Sequence, residues 1–246
     1  MADPSNSPAN NKGPGKGIFF GNIKGGVGKS TLCAFLYEML REKLADHRRL
    51  LIDTDPQAAS SSMLSPILPP EEIKQMPLGD RYDGAVLSAL DGVLRSLLVH
   101  DKTLVLVDSG GGKIGNIWQI VMLCDVVIVP TSLSWMDLRP THEYMREIHE
   151  RKQDLRATKP HIILLPNRIS PHQRNYSVLS QYIADISVTI APPVPEYAIV
   201  RKSSFDYSGI DSIRGSKFFT EVERFADFLI TQVFEGGLDQ YFSTNP

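Results

Sequence analysis

The residues richest in chemistry are Lys24 to Thr31, KGGVGKST, set between the apolar run GIFFGN (17–22) and an amphipathic stretch from about Ser30 to Ala45. Gly25, Gly26 and Gly28 let backbone N–H groups come close to phosphate oxygens, and a helix starting at this point adds its positive end. In such a cradle, completed by Val27 and Thr31, Lys29 would hold the β- and γ-phosphates. The Ser30 hydroxyl would ligate Mg²⁺. The general pattern G-x-x-x-x-G-K-[ST] is not met, because Ile23 stands where its first glycine belongs. A second lysine, Lys24, follows instead.

Carboxylates follow two later apolar runs. In LLIDTDPQAAS (50–60), Asp53 and Asp55 stand two residues apart at a strand end. One of the pair can face a metal's water shell and the other a γ-phosphate. Asp108 ends TLVLVD, a run apolar enough to be buried on both faces, and its carboxylate is placed to bind Mg²⁺ through water. The glycines of DSGGG after it predict a mobile loop. In LLPNRIS, the Asn167 amide can both donate to and accept from a purine.

The elements that must position these groups read as an α/β fold, a doubly wound and mainly parallel sheet flanked by helices. Strands are expected at 17–22, at RLLIDTD as far as Asp53, at 103–108, 125–130 and 161–167, with a weak one near 188–190. Val86, Leu87, Leu90, Val93, Leu94, Leu97 and Leu98 recur at helical spacing. Further helices are expected at about 139–156 and 217–234, and loops at Pro56 to Asp80 and 192–215. Residues 1–16, polar and rich in Pro, Asn and Gly, read as a disordered leader, and 17–246 as a single domain without internal repeats. Ligands of open parallel sheets bind beyond the carboxyl ends of the strands, where all the polar motifs fall.

The composition narrows the choice of partners. The 246 residues are 42% hydrophobic and carry a formal charge of −2, so no overall field recruits nucleic acid. Any DNA-binding surface must be a local patch. Cys33 and Cys124 form no CxxC or Cys/His metal spacing, which points to a reducing, cytosolic compartment and to no structural zinc or iron–sulfur centre. The tail FEGGLDQYFSTNP has two acidic residues, no Lys or Arg and two glycines, unlike a basic amphipathic membrane helix.

KGGVGKST resembles the deviant Walker A box of the ParA/MinD family of ATPases, and the similarity runs over most of the chain after the leader. DTDPQ and the glycine-rich DSGGG look most like the small ParA-type plasmid partition ATPases, the latter departing from the DxPP of larger ParA proteins. The resemblance implies the cofactors ATP and Mg²⁺. It implies an ATP-sandwich dimer in which Lys24 reaches the partner's phosphates, with Lys24, Lys29 and Asp55 catalytic and Asp55 positioning water. Ser30, Asp108 and, in the outer shell, Asp53 would serve the metal, while Asn167 and the backbone around Pro195 would read adenine. It further implies that the ATP-bound dimer binds DNA without sequence preference through Arg201, Lys202, Arg214 and Lys217, which stand locally against Asp206 and Asp211. A ParB-like or adaptor protein would stimulate hydrolysis, in a cytoplasmic, nucleoid-associated setting without membrane contact. A nucleotide-gated scaffold that never touches DNA and a MinD-like membrane-positioning ATPase are the competing expectations.

Overall fold

The apolar runs become parallel strands covered on both faces, and the polar motifs collect at one edge of the sheet they form. The computed structural model describes residues 14–79, 84–112, 117–170, 172–173, 175–198, 200 and 213–235. The strands are β1 (Lys16–Phe20), β2 (Arg48–Asp53), β3 (Ile73–Gln75), β4 (Thr103–Asp108), β5 (Val126–Thr131), β6 (His161–Ile169), β7 (Thr189–Ile190) and β8 (Val194–Pro195). The helices are α1 (Lys29–Lys43), α2 (Ala59–Leu64), α3 (Gly84–Leu98), α4 (Trp118–Val121), α5 (Trp135–Asp154), α6 (Ser177–Tyr182) and α7 (Lys217–Val233). The sheet order is β3-β2-β4-β1-β5-β6-β7, with β8 beside the end of β6, and these pairings are parallel. From β1 the chain crosses to one side for β2 and returns to the other for β5, so the loop after β1 stands where the order reverses, the crevice in which such sheets bind ligands.

Alternation sorts the strand residues into two cores. Ile18, Phe20, Leu104, Leu106 and Ile128 pack on the face covered by α1 and α7; Phe19, Val105, Val107, Val127 and Val129 pack on the face of α3 and α5. Each side chain removed from water in this way contributes about 1.5–3 kcal/mol. The α1 helix lies between the sheet, α2 and α7, so Leu32 to Leu40 are buried without a break. It is buried around its circumference over this stretch because it has neighbours on every side. Cys33 and Cys124 are free, fully buried residues within these cores.

Four expectations change. The stretch 192–215, expected as a loop, contains the short strand β8, which pairs with β6. The stretch expected as a loop from Pro56 contains α2, a turn of 3₁₀ helix at Pro70–Glu72 and the edge strand β3, which pairs with β2. Its prolines mark the joints between short elements. Helix α5 begins one turn before Arg139 and carries Pro140 inside it. Its first turn is anchored instead by the Ser132 hydroxyl, which donates to Asp137 at 2.7 Å and accepts from the Ser134 N–H at 3.0 Å. The leader expected through residue 16 overlaps the fold, since Lys16 opens β1 and a Cβ on Gly15 would meet the His100 carbonyl oxygen at 2.9 Å; residues 1–13 lie outside the described ones.

Candidate functional site

The phosphate loop is shaped by two left-handed glycines. Gly26 has φ +75° in open space, so its requirement is conformational, whereas Gly28, at φ +92°, also has no room, since a Cβ there would lie 2.4 Å from the Asn167 amide nitrogen. Helix α1 starts at the next residue, Lys29, leaving its first N–H groups at the loop. Lys29 is only 6% exposed. Its ammonium donates to the Lys24 carbonyl at 3.2 Å, and burial lowers its pKa against the opposing pull of Asp108 and Asp55. Lys24 behaves differently: its side chain is 42% exposed, with the ammonium 3.8 Å from Asp137. Buried Asn22 holds its backbone, accepting from the Lys24 N–H at 3.0 Å while donating to the Pro130 carbonyl and to Thr141.

The three carboxylates have distinct environments. Asp53, expected in a metal's outer shell, has both oxygens occupied: one accepts the Ser60 hydroxyl and the Ser61 hydroxyl and N–H, the other the Asp55 N–H. It organises the turn into α2. Asp55 accepts the Gln57 N–H at 2.9 Å and faces Gly110, whose Cβ would lie 3.5 Å from the carboxylate carbon. Asp108 is fully buried, and neither of its oxygens has a well-formed hydrogen bond, although the Ser60 and Ser30 hydroxyls lie near it. Burial, helped by Asp53, raises its pKa to about 7, although Ser60, Ser30 and Lys29 offset part of the effect.

An orphaned buried carboxylate beside a serine and a lysine is the donor set expected of a cation site completed by ligand oxygens. Among the described residues no group of three His, Cys, Asp or Glu could hold a metal alone. Ser30 and Asp108 are the residues that would hold a Mg²⁺ shared with a phosphate; bound there, the ion would supply positive charge against the phosphate oxygens.

Two connected spaces meet at the loop. A cleft of about 1100 Å³ is lined by the phosphate loop, Asp55, Pro56 and Gly110 to Gly112. A more apolar one of about 610 Å³ shares Gly26, Gly28 and Thr31 with it and continues past Asn167 to Pro195, Tyr197 and Phe218. An anion cradle opening into an apolar slot suits a phosphorylated planar ring. Pro195, whose backbone the resemblance would set against adenine, lies in this wall. Asn167, expected at a base edge, also lines the slot, but its amide nitrogen donates to the Val27 carbonyl at 2.7 Å and so braces the phosphate loop.

The basic residues divide. Arg201 and Lys202 lie outside the described residues. Lys217 is exposed at the first position of α7. Arg214, expected on DNA, pairs with buried Glu38 at 3.1 Å and with Glu42, and its guanidinium lies over the Phe219 ring. It ties the approach to α7 onto α1, because buried Glu38 needs compensation beyond the 2.8 Å pair with Arg41. Sequence reasoning passed over Asn22, Asp137 and Arg168; only Arg168 had a visible signal, as the neighbour of Asn167 in LLPNRIS.

Comparison with known proteins agrees with this geometry. Residues 18–207 match the model of the CobQ/CobB/MinD/ParA nucleotide binding domain. Among solved structures the chain resembles apo McdA from Cyanothece, at TM-score 0.65 and 15% identity, covering 88% of this chain and 99% of that one. It resembles a plasmid partition protein from Borrelia burgdorferi bound to AMPPNP, at TM-score 0.64 and 17% identity, with 89% and 99% covered. It also resembles MinD complexed with Mg-ADP from Pyrococcus horikoshii, at 0.62 and 16%, with 87% and 96% covered. A search of curated proteins finds no match. Since the matched domain takes in well over half of the sequence and carries the glycine loop, its lysines and the buried Asp108, this chain belongs to the CobQ/CobB/MinD/ParA family of nucleotide-binding proteins.

Proposed function

We propose that the chain is a ParA-type ATPase that closes a dimer around ATP and Mg²⁺, binds DNA without sequence preference in that state, and partitions DNA or positions cargo as a partner stimulates hydrolysis. The observation that carries this reading is the unequal placement of the two loop lysines: Lys29 is buried in its own cradle, while Lys24 stands at the rim with an exposed side chain. A cation at the rim can serve a phosphate bound by a second copy, which makes charge stabilisation conditional on dimerisation. In the chemistry that follows, Lys29 binds phosphate and Asp55, facing the 110–112 loop, orients the attacking water. Lys217, with Arg201 and Lys202, supplies the DNA contacts, and two copies double them.

The test is binding to nonspecific duplex DNA with ATP, ADP or no nucleotide, repeated across salt concentrations. Binding with ATP alone that weakens steeply as salt rises supports the reading. Absence of binding in every state, with the ATP dimer intact, overturns it in favour of a nucleotide-gated protein scaffold. The engagement of Arg214 within the protein favours that second reading, since it removes one cation from the patch. No helix among the described residues is long and apolar enough to cross a membrane; sedimentation with lipid vesicles tests the MinD-like reading, and co-sedimentation in ATP would support it.

A further inference from the structure

Asn167 and Arg168 both reach the phosphate loop, which two neighbours on a regular strand cannot do because their side chains face opposite sides. The Asn167 amide donates to the Val27 carbonyl at 2.7 Å, and Nη1 of Arg168 donates to the Gly26 carbonyl at 2.9 Å. Two local irregularities permit this. Arg168 is left-handed, with φ +56°. The pairing with β8 also slips at this point, with Asn167 opposite Val194 and Ile169 opposite Pro195, so Arg168 is the extra residue of a bulge. Bulges near functional sites re-aim side chains, and a left-handed residue other than glycine costs about 1 kcal/mol or more, so the fold maintains a strained backbone to direct this one group.

The other end of the guanidinium shows what it is directed at. Nη2 lies 3.3 Å from a carboxylate oxygen of Glu196, which sits between Pro195 and Tyr197 in the wall of the apolar slot. The Glu196 N–H in turn donates to the Ile169 carbonyl at 2.9 Å, just past the bulge. One planar group thus spans the phosphate loop and the base wall. We propose that Arg168 is a positioning residue that couples the two halves of the nucleotide site, so that occupancy of the slot by the base and of the cradle by the phosphates reinforce each other. Arginine suits this role because its rigid fork addresses two acceptors at once, as an ammonium on a flexible stem does not. The half-exposed pair with Glu196 is worth little as an ion pair, and its consequence is geometric. The inference rests on the nucleotide reading of the site and is independent of DNA binding.

The test compares Mg-ADP with Mg-pyrophosphate, which carries the phosphates without the base, by titration calorimetry on the full chain. Arg168→Gly removes the fork and also the left-handed strain, so its melting temperature is expected to equal or exceed that of the wild type. Its preference for Mg-ADP over Mg-pyrophosphate should shrink about tenfold, the scale of a typical coupling between sites. Glu196→Ala should lose a similar preference while keeping wild-type pyrophosphate affinity, and Arg168→Lys should fall between Arg168→Gly and the wild type. Wild-type Mg-ADP affinity in Arg168→Gly overturns the proposal. So does a lower melting temperature with both ligands weakened in proportion, which would make Arg168 a purely structural residue. A wild-type chain that takes neither ligand would overturn the nucleotide reading itself, and the coupling with it.

Discussion

At the scale of single residues, the site pairs groups that are costly in isolation. Asp108 keeps two carboxylate oxygens buried without a well-formed hydrogen bond, and its pKa rises from 3.8 to about 7. A carboxyl whose pKa is raised on folding binds more protons in the folded state, so its cost is absent below about pH 4 and grows as pH rises toward 7. Asp108→Asn should therefore raise stability in magnesium-free, nucleotide-free buffer near pH 7 by on the order of 2 kcal/mol, or several degrees in Tm. Its advantage over the wild type should vanish near pH 4, and it should lose magnesium-dependent nucleotide binding. A calorimetric pH series on both proteins decides this, and equal melting curves throughout would refute the account of Asp108. The two glycines give a second contrast. Gly26→Ala meets open space and incurs about 1 kcal/mol of backbone strain, while Gly28→Ala must also displace the Asn167 amide. Nucleotide affinity should fall modestly in the first and be lost in the second.

At the scale of elements, α1 joins the phosphate loop to the rest of the fold. Its buried Glu38 receives Arg41 from within the helix and Arg214 from the approach to α7. Arg214→Ala leaves Glu38 with one of its cations and should cost about 1–2 kcal/mol, discounted because the arginine is itself 38% exposed. Lys217→Ala should leave stability within about 0.5 kcal/mol. Under the proposed function it should instead weaken ATP-dependent DNA binding and reduce the salt slope by about 1. Denaturant melts beside DNA titrations separate the two basic residues, and a stability loss in Lys217→Ala would contradict the assignment. On the opposite side of the loop, Asp53 anchors α2 through Ser60 and Ser61, so the segment carrying Asp55 is fixed at both ends.

At the scale of the whole molecule, the strand order places the loop after β1 between β4 and β5, where the phosphate loop and Asp55 line one cleft and buried Asp108 acts on Lys29 from beneath it. Under the proposed function, Lys29→Ala loses nucleotide and with it every later step. Asp55→Ala should still bind ATP and DNA yet hydrolyse at least tenfold more slowly. Lys24→Ala should bind nucleotide as a single copy but fail to support turnover. Nucleotide binding, sizing and phosphate release on the three variants check this order, and wild-type turnover in Asp55→Ala would reassign the carboxylates.

The amino-acid sequence by itself determined the longer strands, the apolar face of α3 and the phosphate loop, but not the short strands β3 and β8. Strand alternation, helical spacing and glycine placement are local consequences of backbone geometry, and Lys24 to Thr31 are contiguous. It also placed Asp55 and Asp108 at or just past strand ends, which can be read from where an apolar run stops, whereas Pro195 was carried only by the family resemblance. Only the tertiary structure decided how the polar groups are used. Asp53 is taken up by α2, Arg214 by Glu38, and the Asn167 amide by the phosphate loop, each through a partner distant in sequence or a turn that no periodicity announces. The bulge that directs Arg168 is likewise a matter of register between β6 and β8. Register depends on which strands meet, and the chain settles that only by closing its two cores.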